Sequence, residues 1–148
     1  MAIENLGLEI RILSNLIYDK ANKVTMSEEN LSFHQASILQ YLKENRDKEI
    51  VQKDIEHLFS IKRSTANQML KSLEARQLIK RVTSPKDARK NILIITDEGL
   101  KTYDHLASHL HEVVVKLHGD LSEEELASFK KHYVNYGVTS NSLRFLFS

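Results

Sequence analysis

Two short apolar segments, "LIKRV" at residues 78–82 and "ILIIT" at residues 92–96, flank the charged stretch "SPKDARKN". Segments of this length and composition predict β-strands. Five of the eight residues between them are Pro, Asp, Lys or Arg, and Pro85 stiffens the connection because its ring fixes the backbone φ angle. We therefore predict one β-hairpin with a rigid tip that carries positive charge.

The rest of the chain has the spacing of helices. Gly (4) and Pro (1) are scarce in 148 residues, which favours long helices and few loops. Apolar periodicity predicts helices over residues 3–22, 32–45, 53–60 and 63–77. Thr96 is a predicted N-cap for a helix that ends near His118, and "SEEE" at residues 122–125 is a capping box that begins a last helix. The predicted fold class is mainly α with a small β-hairpin.

Positive charge is concentrated in the middle of the chain. The formal net charge is +1, but residues 51–95 contain 10 Lys or Arg against 4 Asp or Glu, while both flanking segments are acidic. A basic segment inside a nearly neutral chain is typical of a phosphate-binding surface, and a solvated basic face is the alternative.

Residues 54–82, "DIEHLFSIKRSTANQMLKSLEARQLIKRV", predict two helices joined by a short turn and followed by a strand, which is a helix-turn-helix arrangement. In the second helix Ala66, Met69 or Leu70, and Leu73 form the predicted buried face. No acidic residue occurs from Lys62 to Ser72, although solvated helix faces usually carry Glu–Lys pairs. The outward face therefore predicts contact with a DNA major groove, through Ser64, Thr65, Asn67, Gln68 and Lys71.

The hairpin that follows is interpreted as a wing whose tip contacts DNA. Arg89 is long enough to enter a minor groove, and Lys86 and Lys90 would neutralise phosphates. Asp87 is predicted to hold the arginine or to close the turn. Lys62 and Arg63, at the start of the second helix, complete the predicted DNA-binding set.

Residues 31–99 resemble the MarR family of winged-helix regulators. The matching segments are "LSFHQASIL", "RSTANQMLKSLEARQLIKR" and "DARKNILIITDEG". The most specific part is an Asp-x-Arg in the wing followed by hydrophobic-Thr-x-x-Gly, here Asp87, Arg89, Ile95, Thr96 and Gly99. The resemblance implies a winged helix-turn-helix flanked by long dimerisation helices, and a homodimer that binds double-stranded DNA at a pseudo-palindromic operator, as a ligand-responsive repressor.

Two positions depart from the family pattern. Family members often have Gly directly after the recognition helix, where a left-handed residue ends it, and this chain has Gln77. The residue before that helix is usually a small polar cap, and here it is Lys62. The junction at Gln77 is expected to be either strained or closed in a different way. Both departures are expected to affect DNA preference and not the fold.

The flanking helices need a partner surface. Leu6, Ile10, Leu13 and Ile17 near one end are too apolar for a free surface, and so are Leu143, Phe145, Leu146 and Phe147 at the other. A two-fold interface would bury both sets, although packing within one chain is the alternative. We expect an N-terminal dimerisation helix (1–30), a DNA-binding region (31–99) and C-terminal dimerisation helices (100–148) in one compact subunit.

The resemblance also implies a crevice for a small aromatic effector between the DNA-binding and dimerisation regions. The candidate wall residues, chosen for their chemistry and approximate placement, are Asn15, Tyr18, His34, Tyr41 and His105. Sensing through cysteine is excluded because the chain has none.

No cofactor and no metal site is predicted. His105 and His109 lie four residues apart on one predicted helix, with Glu112 on the same stripe, and this spacing could seat zinc. The stripe continues to Lys116 as a solvated face would, so a metal-responsive regulator is kept only as an alternative.

A third hypothesis is a winged-helix scaffold that binds proteins and not DNA. The basic segment and the polar helix face argue against it, because such a scaffold needs an apolar contact face there. We expect no enzyme, since the sequence has no nucleophile–base pair and no phosphate-binding glycine loop. The N-terminus has no signal-peptide pattern and no apolar run could span a bilayer, so a cytoplasmic protein with no membrane partner is predicted.

Overall fold

The computed structural model describes residues 5–119 and 122–134. The described residues form one two-stranded hairpin and six helices, in the predicted order. The elements are α1 (Leu6–Glu29), α2 (Phe33–Glu44), α3 (Gln52–Phe59), α4 (Arg63–Ala75), β1 (Ile79–Thr83), β2 (Asn91–Ile95), α5 (Asp97–His118) and α6 (Glu123–Val134). The mainly α fold with one β-hairpin is confirmed.

Helix α1 is longer than predicted. The periodicity ended it at Asn22, whereas the helix continues to Glu29. No Gly or Pro interrupts this extension, Ala21 and Thr25 are buried, and α1 packs on α5 and α2. Tertiary packing therefore extends the helix beyond the point where its apolar pattern weakens.

Three serine or threonine hydroxyls cap helices, and the sequence predicted two of them, Thr96 and Ser122. The hydroxyl oxygens of Ser32, Thr96 and Ser122 each accept a hydrogen bond from the backbone N–H three residues later, at 3.0–3.1 Å. Each bond satisfies one N–H that a helix start leaves without an intrahelical partner. These caps fix where α2, α5 and α6 begin.

Three residues other than glycine have a left-handed backbone conformation, and each lies just after a helix. Asn30, Ser60 and Gln77 have φ values of 52°, 50° and 60°. Asn and Ser at the first two positions follow α1 and α3 directly. Gln77 lies in the connection from α4 to β1, at the position where family members often have glycine, and it adopts a left-handed conformation although it is not glycine.

The core lies between α2, α3, α4, the hairpin and α5. Its fully buried large side chains are Leu31, Ile38, Leu39, Ile55, Leu70, Leu73, Ile79 and Leu106. The strands are antiparallel, with Ile79 opposite Ile95 and Thr83 opposite Asn91. The backbone N–H of Leu93 donates to the carbonyl of Ile50 at 2.7 Å, which ties the hairpin to the segment before α3.

Gly99, in the first turn of α5, is required by close packing. A Cβ atom at this position would collide with the backbone carbonyl oxygen of Leu78. The same oxygen accepts hydrogen bonds from the backbone N–H and the hydroxyl of Thr96, both at 3.0 Å. The Thr-x-x-Gly motif thus attaches the start of α5 to the base of the hairpin.

The first half of α1 leaves large apolar side chains in solvent. Five of them are 43–58% exposed: Leu8, Ile10, Ile12, Leu13 and Leu16. At roughly 100° per residue these positions cover an arc of about 200° around the helix axis. The predicted C-terminal apolar cluster, Leu143 to Phe147, lies outside the described residues. Among the described helices, none has the length and apolar character needed to cross a membrane.

Candidate nucleic-acid interface

A short, well-ordered turn sets α4 against α3. Helix α3 ends at Phe59, and α4 begins at Arg63. The N–H groups of Ser60 and Ile61 donate to the carbonyls of His57 and Glu56, at 3.3 and 3.0 Å, which closes the end of α3. Ile61 packs against the core. These contacts produce the predicted helix-turn-helix.

Helix α4 has one buried face and one exposed polar face. Ala66, Leu70 and Leu73 are completely buried, while Met69 is only partly buried. The opposite side carries Ser64, Thr65, Gln68 and Lys71, all exposed, and the half-buried Asn67. The two faces agree with those expected from the spacing, and the polar face is accessible to a partner.

The start of α4 has no side-chain cap. Lys62 occupies the N-cap position and offers no acceptor to the first-turn N–H groups. The amide of Gln52 donates to the carbonyl of Arg63 at 3.3 Å and fixes the helix start from α3 instead. The uncapped N–H groups, with the positive end of the helix dipole, favour an anion at this end.

A second set of contacts joins α3, α4 and β1. The guanidinium of Arg81 pairs with Glu74 at 3.2 Å and donates to the Oε1 atom of Gln52 at 3.3 Å. Neither Gln52 nor Arg81 was predicted to have this role, because contacts between separate elements leave no periodic signal in the sequence.

The tip of the hairpin is held by its own hydrogen bonds. The buried Ser84 accepts from the backbone N–H groups of Lys86 and Asp87, at 3.1 and 3.2 Å, and donates to Glu49 at 2.8 Å. The carboxylate of Asp87 accepts from the backbone N–H of Arg89 at 3.0 Å. Of the two roles predicted for Asp87, closing the turn is the one seen, through the backbone of Arg89. Ser84 and Glu49 were not predicted.

The cations of α4 and the wing tip have no acidic partners among the residues that the structure describes. Within residues 5–119 and 122–134, no carboxylate lies within 4.0 Å of the charged nitrogens of Lys62, Arg63, Lys71, Lys86, Arg89 or Lys90. All six side chains are exposed. Three cations elsewhere in the same region, Lys43, Arg76 and Arg81, do pair with carboxylates. The unpaired charge is available to phosphate groups.

The five candidate effector residues do not lie together in the structure. Tyr18 and His34 are in contact, with ring centroids 4.8 Å apart, and the ring of Phe59 lies 5.3 Å from that of His34. Burial lowers the pKa of His34. Burial and the nearby Asp19 raise the pKa of Tyr18. The predicted crevice residues therefore include one real aromatic cluster, which Phe33 also joins through Tyr18 at 5.9 Å.

The other three candidates have different surroundings. Tyr41 packs against the core, and burial, with a smaller contribution from Asp54, raises its pKa. Asn15 is exposed on α1. The Nδ1 atom of His105 lies 2.7 Å from a carboxylate oxygen of Glu29. Among the described residues, no hydrogen bond, ion pair or ring contact joins these three side chains to the Tyr18–His34 pair, so the five do not form one wall.

The histidine stripe of α5 has an acidic partner that the sequence did not indicate. His105 and His109 face Glu28 of α1, and these three residues are the one group in the described part of the chain with the spacing of metal ligands. Glu112, the third ligand considered from spacing, is not in the group. Glu28 is 77 positions from His105, and only the packing of α1 on α5 brings them together.

A helix-turn-helix followed by a hairpin with an exposed basic tip defines a winged-helix protein. The model of the MarR family matches residues 29–90 of the chain. Transcriptional regulator SarA of Staphylococcus aureus is 23% identical over 122 residues, which cover 82% of this chain and 98% of SarA.

Solved structures agree in fold. The transcription regulator MarR from Oenococcus oeni PSU-1 is 29% identical, with a TM-score of 0.74 over 90% of this chain and 99% of that one. MepR of S. aureus, solved as a DNA complex, is 24% identical with a TM-score of 0.79, over 91% and 96% of the two chains. Over residues 29–90 the chain is similar to the MarR family, and its fold is that of solved winged-helix transcription regulators of this family. The matched family and these relatives are transcription regulators and not enzymes, in agreement with the prediction that the chain is no enzyme.

Proposed function

We propose that the protein is a homodimeric, sequence-specific DNA-binding regulator that acts in the cytoplasm as a ligand-responsive repressor. The observation that carries the proposal is the exposed surface of α4 and the wing tip. That surface has six cations without an acidic partner in the described part of the chain, and the sequence has no acidic residue from position 62 to position 72. The similarity in fold to MepR, which was solved with DNA, supports the same use of this surface.

In this proposal α4 enters the major groove. Gln68 is exposed in the middle of the polar face and can pair with adenine through two hydrogen bonds, as can Asn67. Ser64 and Thr65 lie in the uncapped first turn, where hydroxyls and backbone N–H groups suit phosphate or base edges. Lys62, Arg63 and Lys71 contribute phosphate contacts.

The wing enters the adjacent minor groove. The carboxylate of Asp87 accepts a hydrogen bond from the backbone N–H of Arg89, and no carboxylate within residues 5–119 and 122–134 pairs with the guanidinium of Arg89. In this proposal that guanidinium reaches a groove of negative potential. Lys86 and Lys90 on either side of the tip neutralise flanking phosphates. The hydrogen bonds of Ser84 keep the tip in one conformation before binding, which lowers the entropic cost of association.

The dimer is proposed from the apolar surface of α1. Helix α5 of the same subunit packs along one side of α1, so it cannot cover an apolar arc of about 200° on that helix. A two-fold interface through residues 1–30 and 100–148 would bury this surface and leave residues 31–99 free to bind DNA. Two recognition helices related by two-fold symmetry require a pseudo-palindromic operator.

The aromatic cluster of Tyr18, His34 and Phe59 is the proposed effector site. It lies where α1, α2 and α3 meet, beside the helix-turn-helix. An aromatic ligand stacked there would change the angle between α1 and α3, and so the separation of the two recognition helices.

The decisive experiment is selection of DNA fragments from random and genomic pools by the purified protein, followed by binding titrations. We expect a two-fold symmetric motif. Lys71→Ala should weaken binding, whereas the charge-matched control Lys23→Ala on α1 should bind as the parent does. If no motif is enriched and both variants bind DNA alike, the DNA-binding proposal is wrong and the protein-binding scaffold hypothesis is favoured.

A further inference from the structure

The C-terminal part of α1 and the middle of α5 bring together two imidazoles and a carboxylate. The Nε2 atoms of His105 and His109 each lie 3.5 Å from the same Oε2 atom of Glu28. The ligand atoms of the three residues lie within 4.8 Å of one another. We infer that Glu28, His105 and His109 form a binding site for a divalent transition-metal ion, with zinc as the ion that best fits the donor set.

The distances distinguish a metal site from an ordinary hydrogen-bonded pair. A charge-assisted N–H···O bond is about 2.7–2.9 Å long, so 3.5 Å is too long for either histidine. Zinc bonds of about 2.0–2.2 Å to nitrogen and oxygen, at a tetrahedral angle, separate two ligand atoms by about 3.4 Å. Both Nε2–Oε2 distances therefore match the edge of a zinc tetrahedron.

The second nitrogen of each histidine is already occupied by an acceptor. The Nδ1 atom of His105 lies 2.7 Å from Oε1 of Glu29, and the Nδ1 atom of His109 lies 3.0 Å from the backbone carbonyl of His105. An acceptor at Nδ1 places the proton there and leaves the Nε2 lone pair free for a metal. Carboxylate and carbonyl acceptors of this kind are the usual outer partners of metal-bound histidines.

The donor set also selects the class of ion. Two imidazoles and one carboxylate suit zinc and other late first-row metals better than calcium or magnesium, which prefer oxygen ligands. The three side chains are 33–45% exposed, so the fourth tetrahedral position can be filled by water. Glu28 and Glu29 together carry the two negative charges that balance a divalent ion.

Glu29, next to Glu28 in the chain, links the site to the end of the recognition helix. Glu29 accepts from His105 and also lies 4.0 Å from the guanidinium of Arg76, at the end of α4. Arg76 donates in addition to the carbonyl of Asn30 at 3.2 Å. A metal that fixes His105 and Glu29 therefore fixes how the end of α4 is held. The consequence for DNA binding rests on the proposed function, whereas the site itself does not.

Cobalt(II) titration of the purified full-length protein, followed by zinc displacement, tests the site directly. We expect the visible absorption bands of tetrahedral cobalt with nitrogen and oxygen ligands, and their loss when zinc is added. Glu28→Gln and His109→Ala should each weaken zinc binding by more than about 100-fold in a chelator competition, because each removes a direct ligand. Glu29→Gln should weaken it by about 10–100-fold, as the loss of an outer partner does.

Two controls come from the same helix. His111→Ala and Glu112→Gln remove exposed side chains of α5 that are outside the cluster, and both should bind zinc as the parent does. If Glu28→Gln and His109→Ala also bind as the parent does, or cobalt stays octahedral, the site is absent. Circular dichroism of each variant shows whether a loss of binding reflects unfolding. DNA affinity with and without zinc is measured separately. If zinc does not change DNA affinity, the results for zinc binding and for DNA binding still test the metal site and the proposed function independently.

Discussion

Gln77 has a left-handed backbone conformation, with φ of 60°, and its carbonyl oxygen accepts a 2.6 Å hydrogen bond from the hydroxyl of Thr96. The same hydroxyl lies 3.0 Å from the carbonyl of Leu78 and accepts from the N–H of Gly99 at 3.0 Å. One threonine thus joins the connection between α4 and β1 to the start of α5. The orientation of the wing relative to α4 depends on this junction.

The first prediction concerns the strain at that junction. A non-glycine residue in the left-handed region costs on the order of 1–3 kcal/mol, while glycine costs some unfolded-state entropy. Gln77→Gly should therefore raise the free energy of unfolding by about 0.5–1 kcal/mol, and Gln77→Val should lower it by at least as much. Urea denaturation of the three proteins measures the differences. A lower stability for the glycine variant would contradict strain at this position.

The second prediction separates the roles of helix and wing. Gln68→Ala should cost about 1–3 kcal/mol of binding free energy on the selected site and little on other sequences. Arg89→Ala should weaken binding to most sequences, and most strongly to sites with A·T-rich flanks, since groove width and potential attract an arginine. The measurement is a titration of both variants against the selected site and versions with scrambled flanks. Equal binding of Arg89→Ala and the parent to every sequence would show that the wing does not contact DNA.

Asp87→Ala should imitate Arg89→Ala in part, by a mechanism that the structure makes specific. The carboxylate accepts a hydrogen bond from the backbone N–H of Arg89, so its removal frees the tip and leaves the guanidinium less often directed at DNA. Asp87→Asn keeps an acceptor oxygen and is the matched control, which should retain most of the affinity. If both variants bind equally weakly, the charge of Asp87 matters and not its hydrogen bond.

The third prediction concerns salt. If the unpaired cations of α4 and the wing neutralise six or more phosphates per dimer, affinity should fall by about 10³ or more between 50 and 200 mM salt. Lys86→Ala should reduce the slope of log K against log salt by about 0.9 for each phosphate that the variant no longer neutralises. The control Lys23→Ala should leave the slope unchanged. A salt-independent affinity would favour the scaffold hypothesis.

The fourth prediction concerns assembly. Light scattering should give a mass near twice the 17.1 kDa of the chain. Leu16→Lys puts a charge into the exposed apolar surface, where Leu16 is 53% exposed, and should shift the dimer towards monomer without unfolding the subunit. Ser27→Lys adds the same charge to an exposed polar position of α1 and is the matched control. A folded monomer for the parent at micromolar concentration would refute the symmetric-operator proposal.

Local patterns explain why so much of the fold was predictable. Thr96 and Ser122 act within three residues of their own position, so the sequence alone marks the starts of α5 and α6. The faces of α4 follow from the spacing of Ala66, Leu70 and Leu73, which repeats with the helical period. The family resemblance marked Gln77 as a departure from glycine, but it left open whether the junction is strained or closed differently.

Interactions between distant segments were not predictable in the same way. Glu28 meets His105 and His109 only because α1 packs on α5, and spacing along α5 pointed to Glu112 instead. Glu49 supports the wing through Ser84 across 35 positions, and neither residue belongs to a periodic pattern. The candidate effector residues were chosen by chemistry and approximate placement, and of these only Tyr18 and His34 are found in contact. Residue type and period specify which face a side chain occupies, but tertiary packing decides which faces meet.

The last prediction concerns acid stability and His34. Burial between the rings of Tyr18 and Phe59 lowers the pKa of His34 below its ordinary value of 6.5. The folded state thus prefers the neutral imidazole, and this contribution to stability is present above pH 6.5 and is lost as the pH falls through the lowered pKa. Urea denaturation at about pH 7.5 and about pH 5 should show a larger loss of stability for the parent than for His34→Gln, which cannot take up the proton. His57→Gln, at an exposed histidine of α3, should lose as much stability as the parent does. An equal loss in the parent and in His34→Gln would mean that His34 is protonated as readily in the folded chain as in the unfolded one.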